Sequence, residues 1–126
     1  MTVQGIGGLF FRAANPEALT AWYKQHLGVG AGCAADGAGA PNEWVWGTLG
    51  GPVVFAPFKA DSDYFAKDKA FMINFRVTDL DGLLERLAAA GIETITNPDW
   101  NQPGVGRFAR LHDPEGNAVE LWEPSE

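Results

Sequence analysis

The chain has 126 residues, 46% of them apolar, and a formal net charge of −7. That length builds one domain around one core. Nine Lys and Arg against sixteen Asp and Glu, with no basic run, argue against a nucleic-acid partner. The single Cys33 excludes an internal disulfide and a cysteine metal cluster. No stretch nears the roughly 18 consecutive apolar residues that a membrane helix needs, so no membrane role is expected and a cytoplasmic protein follows by default. The five Trp and eight Phe exceed what a minimal core needs, so some are candidates to line a pocket.

In chain order, the first predicted element is an apolar strand over Gly5–Arg12. A helix follows, with Asn15 as N-cap, Pro16 at its first position, Glu17 in its first turn and Gly28 as its stop. Leu19, Trp22, Tyr23 and Leu27 form its apolar stripe. Short strands are expected at Val29–Cys33, Glu43–Thr48 and Pro52–Phe58, around a Gly- and Ala-rich connection at 30–42. A polar linker at 59–68 carries Tyr64 and Phe65. The pattern then repeats: a strand at Phe71–Val77, a helix capped by Asp79 and stopped at Gly91, and strands at Ile92–Thr96, Gly106–His112 and Asn117–Glu123. A shift of 64 residues lays Phe11-Arg12 on Phe75-Arg76, Asn15 on Asp79 and Leu19 on Leu83. The expected organisation is therefore one domain of two modules, 1–58 and 69–126, each reading β-α-β-β-β. Two such modules can form one curved sheet whose concave face is a natural ligand cavity.

The clearest local signal is GRFARLHDPEGNAVELWEP at 106–124. Proline and glycine in Asp113-Pro114-Glu115-Gly116 fit a type I turn that Asp113 caps. Beyond it, Val119 and Leu121 alternate with Ala118, Glu120 and Trp122. A carboxylate on that partly apolar strand face is costly unless it is paired, protonated, or bound to a ligand or metal.

The segments GGLFFRAANPEALTAWYKQHLG (7–28), NFRVTDLDGLLERLAAAG (74–91) and DPEGNAVELWEP (113–124) together resemble the vicinal oxygen chelate superfamily. It includes glyoxalase I, extradiol dioxygenases and the bleomycin- and fosfomycin-resistance proteins. The resemblance covers essentially the whole chain. It implies an α+β fold of two βαβββ modules, with helices on the convex face of a curved mixed sheet. It also implies a homodimer and a cupped small-molecule site. Enzymes of the superfamily place metal ligands near the start of each module's first strand and on its last strand. Carried over, these positions fall on Gly8, on Val54 or Phe55, on Met72 and on Glu120. Only Glu120 can serve, and a catalytic zinc wants about three protein ligands. No cofactor and no metal site of the usual kind are therefore expected.

In the register set by Gly8, Phe10 shares the concave face. Met72, Asn74 and Arg76 share it in the second module. Asn74 reads either as a ligand contact or as a partner of the backbone, and Arg76 either as a ligand contact or as the partner of Glu120 or Glu123. Trp44 and Trp46 form an aromatic wall or an interface, and Trp122 shares the face of Glu120. His112 is the candidate acid or base beside Glu120, or simply a strand-end residue bonded to the turn. Three readings follow. The first is a metal-independent protein that binds an aromatic or cationic organic molecule. The second is a metal-dependent lyase, isomerase or dioxygenase with a divalent metal in a displaced site using His112 or Asp113. The third is a non-catalytic dimer with a packed cup, in which Arg76 or Arg110 neutralises Glu120. Whether the chain is an enzyme is left open by its residues.

Overall fold

The computed structural model describes residues 9, 11–30, 46–51, 53–54 and 56–125. The regular elements are α1 (Pro16–Leu27), β1 (Ile73–Arg76), α2 (Leu80–Ala89), a short 3₁₀ turn (Pro98–Trp100), β2 (Gly106–His112) and β3 (Ala118–Pro124). Two helices and a small mixed sheet make the α+β architecture expected from the sequence.

The local signals act where the sequence puts them. Asn15 accepts a hydrogen bond from the Ala18 N–H at 3.1 Å. Gly28 ends α1 in the left-handed region (φ 71°), returning its N–H to Lys24 O. Asp79 caps α2 by accepting from Gly82 N–H at 3.2 Å, and Glu123 caps it again by accepting from Leu80 N–H at 2.8 Å.

β3 is central, with β1 parallel on one side and β2 antiparallel on the other. Ile73, Phe75, Val119, Leu121, Ala109 and Leu111 share one face by register. Leu19 and Tyr23 of α1 and Leu80 and Leu87 of α2 join this face in the core. Val119, Leu87, Leu111 and Leu121 are fully buried, so truncating one of the leucines to Ala costs about 2–5 kcal/mol. The opposite face carries Asn74 and Arg76, Glu120 and Trp122, and Phe108 and Arg110.

The β2–β3 turn closes as predicted, with Gly116 N–H donating to Asp113 O at 2.9 Å and Gly116 at φ 82°. Glu115 docks this turn on the start of α1, accepting from the N–H groups of Ala14 and Asn15 at 2.6 and 2.8 Å. The turn is thus a tether between the strand pair and a helix distant in sequence.

Several predicted strands shrink or are not formed. The strand at Phe71–Val77 shortens to Ile73–Arg76. Ile92–Thr96 reduces to one bridge, Ile95 to Arg110, because Asn97 and Pro98 then turn the chain into the 3₁₀ segment. Within Pro52–Phe58, the described residues 53–54 and 56–58 are in no strand, and Val53 and Val54 stand exposed. Trp46 makes a single bridge, and Val29–Gly30 form a turn. Leu9, Phe11 and Arg12 are irregular, and the rest of Gly5–Arg12 lies outside the described residues, as do most of Val29–Cys33 and Glu43–Val45.

Candidate functional site

Glu120 sits mid-strand in the central strand of the sheet, so a partner strand flanks it on each side. Its register partners are Asn74 on β1 and Arg110 on β2. It is 7% exposed. One oxygen accepts from the Asn74 side-chain amide at 2.8 Å, the other from the Tyr64 hydroxyl at 2.6 Å. Burial pushes the Tyr64 hydroxyl up to about 12, the bond to Glu120 and its charge add to this, and Arg110 pulls the other way. Tyr64 therefore stays a protonated donor at neutral pH.

Tyr64 comes from the connecting segment, 56 residues away in sequence. An aromatic cluster holds that segment against the sheet. Phe58 meets Tyr64 and Phe65 at centroid distances of 5.5 and 5.8 Å, and Tyr64 meets Trp100 at 6.1 Å. Arg110 completes the group. Its guanidinium carbon lies 4.4 Å from the Tyr64 ring centroid and 5.1 Å from that of Trp100. Its Nη1 donates to the Tyr64 carbonyl at 2.6 Å.

Arg110 and Glu120 face each other in register, yet the ion pairs among the described residues involve Arg107 instead. The Nε and Nη2 of Arg110 are buried without a hydrogen-bond partner among the described residues. Unmet donors on a buried charged group cost on the order of 1–3 kcal/mol or more. Cation–π contact offsets about 0.5–2 kcal/mol, but it acts through the ring face and leaves in-plane hydrogens without an acceptor.

Asn74 donates to Glu120 and so is a partner of a side chain, which neither sequence reading anticipated. Arg76 donates to Leu49 O at 2.9 Å. The ion-pair partner of Glu123 is Arg107, at 3.1 Å, which also holds Asp81. Those two bonds, Asp81's first, raise the Arg107 pKa. Trp122 lies on the Glu120 face but is nearly buried. It stacks on Phe108 at 6.2 Å and 4°, and its indole N–H donates to Val105 O at 2.9 Å. Gly106 makes that closeness possible, since a Cβ there would meet the Trp122 indole nitrogen and Glu123 O. Met72 precedes β1 and is half-buried. Trp46 packs edge-on against Phe75, on the core side of β1. Phe10, Trp44, Gly8 and Phe55 lie outside the described residues, and Val54 is 71% exposed.

His112 is exposed at the end of β2. It lines a groove of about 400 Å³ with Trp22, Ile92, Glu93, Ile95 and Pro114. A second groove, of about 230 Å³, runs along α1 beside Phe11 and Tyr23. Neither includes Glu120.

Asp113 is 4% exposed and fully engaged. It accepts from the Tyr23 hydroxyl at 2.7 Å, the Asn117 amide at 2.8 Å, and the N–H groups of Glu115 and Asn117 at 2.9 Å. Burial first, then the bond to Asp113, drives the Tyr23 hydroxyl well above its usual range.

A divalent metal does not fit the described donors. No group of three or more His, Cys, Asp or Glu is placed to hold one among the described residues. Glu120 stands opposite Arg110 with no second acidic or imidazole ligand beside it among the described residues, and every acceptor site of Asp113 is taken by protein hydrogen bonds.

Residues 8–122 match the family model described as glyoxalase-like domain, and the chain belongs to that family, within the vicinal oxygen chelate superfamily. Among solved structures it is similar to TnmS3, an antibiotic binding protein from Streptomyces sp. CB03234. The identity is 36% over 42% of this chain and 41% of that one, at a TM-score of 0.37. It is also similar to a glyoxalase/bleomycin resistance protein from Streptomyces sp. CB03234, with 33% identity over 40% of this chain and 42% of that one, at a TM-score of 0.35. The matched part spans about two fifths of each of those structures. No curated protein matches the chain.

Tyr64, Trp100 and Arg110 are the members of the site that sequence reasoning did not assign to ligand contact. Tyr64 and Trp100 stand outside the strand pattern, although an aromatic residue inside an otherwise polar linker was a usable signal.

Proposed function

We propose that the protein binds a small organic molecule on the face of its sheet opposite the helices, at the cluster of Glu120, Asn74, Tyr64 and Arg110, without a divalent metal. The carrying observation is the state of Glu120: a buried carboxylate held by two neutral donors, opposite a guanidinium whose Nε and Nη2 have no hydrogen-bond partner among the described residues. Such an arrangement suits recognition of polar groups on an aromatic body, with Trp122, Met72 and Arg76 as further contacts on the same face. His112, in its own groove, has no part in this reading. The metal-dependent alternative would need ligands that the described residues do not offer.

Elemental analysis of protein purified without chelators tests this. The expected result is far less than one equivalent of transition metal per chain. Stoichiometric metal that survives dialysis, and is lost on Glu120→Gln, would overturn it. We infer also that two copies pair in the cytoplasm. The exposed apolar residues Leu49, Val53 and Val54 support pairing, and among the described residues no helix is long and apolar enough to cross a membrane. Light scattering should give twice the 13.5 kDa chain mass; a monomer at all concentrations would remove the dimer.

A further inference from the structure

Glu120 accepts from its neighbours, whereas Arg110 beside it keeps donors that meet no acceptor among the described residues. Each carboxylate oxygen holds a hydrogen-bond donor, Tyr64 or Asn74. Arg110, across the strand pair, spends only Nη1, on the Tyr64 carbonyl. Its Nε and Nη2 are buried and unmatched among the described residues. These two nitrogens are neighbours on one side of the planar guanidinium. Their hydrogens point the same way and form the side-on fork that matches a planar pair of oxygens. Buried polar groups in folded proteins are nearly always bonded, and an exception marks a functional role or a missing partner. The rings of Tyr64 and Trp100 flank the guanidinium and supply flat apolar walls beside the fork.

We propose that Arg110 is the polar anchor of the ligand, and that the ligand is an aromatic carboxylate gripped side-on by Nε and Nη2. This rests on the binding reading above and changes its chemistry: the ligand brings acceptors, not the cation that a lone Glu120 would attract. Arg110 is the only described cation in register with Glu120 across β2 and β3. Both fork atoms are covered in this structure, so the ligand reaches them by displacing a cover.

The test titrates the intact protein, following tryptophan fluorescence, with naphthalene-2-carboxylate, its amide, its phosphate analogue naphthyl phosphate, and naphthylmethylamine. The carboxylate should bind at least about tenfold tighter than the amide and the amine, the step that one charge-assisted fork supplies. Naphthyl phosphate binding equally well would overturn the planar match. Arg110→Lys keeps the charge and loses the fork, and should weaken the carboxylate about tenfold while leaving the amide unchanged. Carboxylate binding untouched by Arg110→Lys, or tightest binding by the amine, overturns this inference alone. If no probe saturates by about 1 mM, the binding reading fails with it. The wild-type ranking of carboxylate against amide decides the matter even if the variant does not fold.

Discussion

Asp113 and Glu120 are both buried carboxylates of the same turn-and-strand unit, and they are held in opposite ways. Asp113 takes four hydrogen bonds, two of them from backbone N–H groups of its own turn and one from α1 through Tyr23. Glu120 takes two, both from side chains of other segments, and faces a cation whose Nε and Nη2 are buried without a hydrogen-bond partner among the described residues. The first is a joint that fixes the turn to the helix layer. The second is the site we propose, held only by side chains from other segments. On this proposal a buried acid is scaffold where its bonds come from its own turn and site where they come from side chains of distant segments.

The sharpest way to break this contrast is a pair of near-isosteric changes. Asp113→Asn replaces an acceptor of four bonds with an amide that turns a donor toward other donors. It should cost about 3 kcal/mol in urea unfolding. Glu120→Gln should cost about 1 kcal/mol, since Asn74 and Tyr64 can reorient around the new amide. Equal losses would make Glu120 scaffold as well. The same Glu120→Gln protein should show altered affinity for naphthalene-2-carboxylate, and Asp113→Asn, where folded, should not.

A finer probe uses the two tyrosines. Tyr64 holds its proton to about 12 when folded, against an ordinary value of 10. The folded state keeps a proton that the unfolded chain releases first, so this contribution is whole below pH 10 and is lost as pH rises from 10 to about 12. Tyr23 acts in the same direction and persists higher. Tyr64→Phe should therefore flatten the alkaline loss of stability only in part, and Tyr23→Phe should remove the rest. Urea midpoints followed from about pH 9 to 11 read this directly. Wild type and Tyr64→Phe falling in parallel would remove Tyr64 from the buried network. The smallest effect belongs to the exposed pairs of Arg107, where Arg107→Ala should cost no more than about 1 kcal/mol and should fade with salt.

Half of this contrast is visible in the residues alone. Asp113 is legible because turn chemistry is local: Pro114, Glu115 and Gly116 specify it within a few positions. The caps at Asn15 and Asp79 and the stop at Gly28 are legible for the same reason. Alternation placed Glu120 opposite Val119 and Leu121, and Asn74 and Arg76 on its face. The remaining contacts around Glu120 were not legible. Tyr64 arrives from a linker, Trp100 from a 3₁₀ turn between two predicted strands, and Arg110 turns to the tyrosine rather than to the glutamate. Those contacts are set by packing between distant segments, and no periodicity reports them.

The central claim is an organic-ligand site at Glu120 and Arg110 that works without metal. Titrating naphthalene-2-carboxylate into the protein before and after exhaustive chelation tests it most directly. Superimposable curves, both weakened by Arg110→Lys, are the predicted result. Binding that vanishes on chelation and returns with Mn²⁺, Ni²⁺, Zn²⁺ or Fe²⁺ would contradict it.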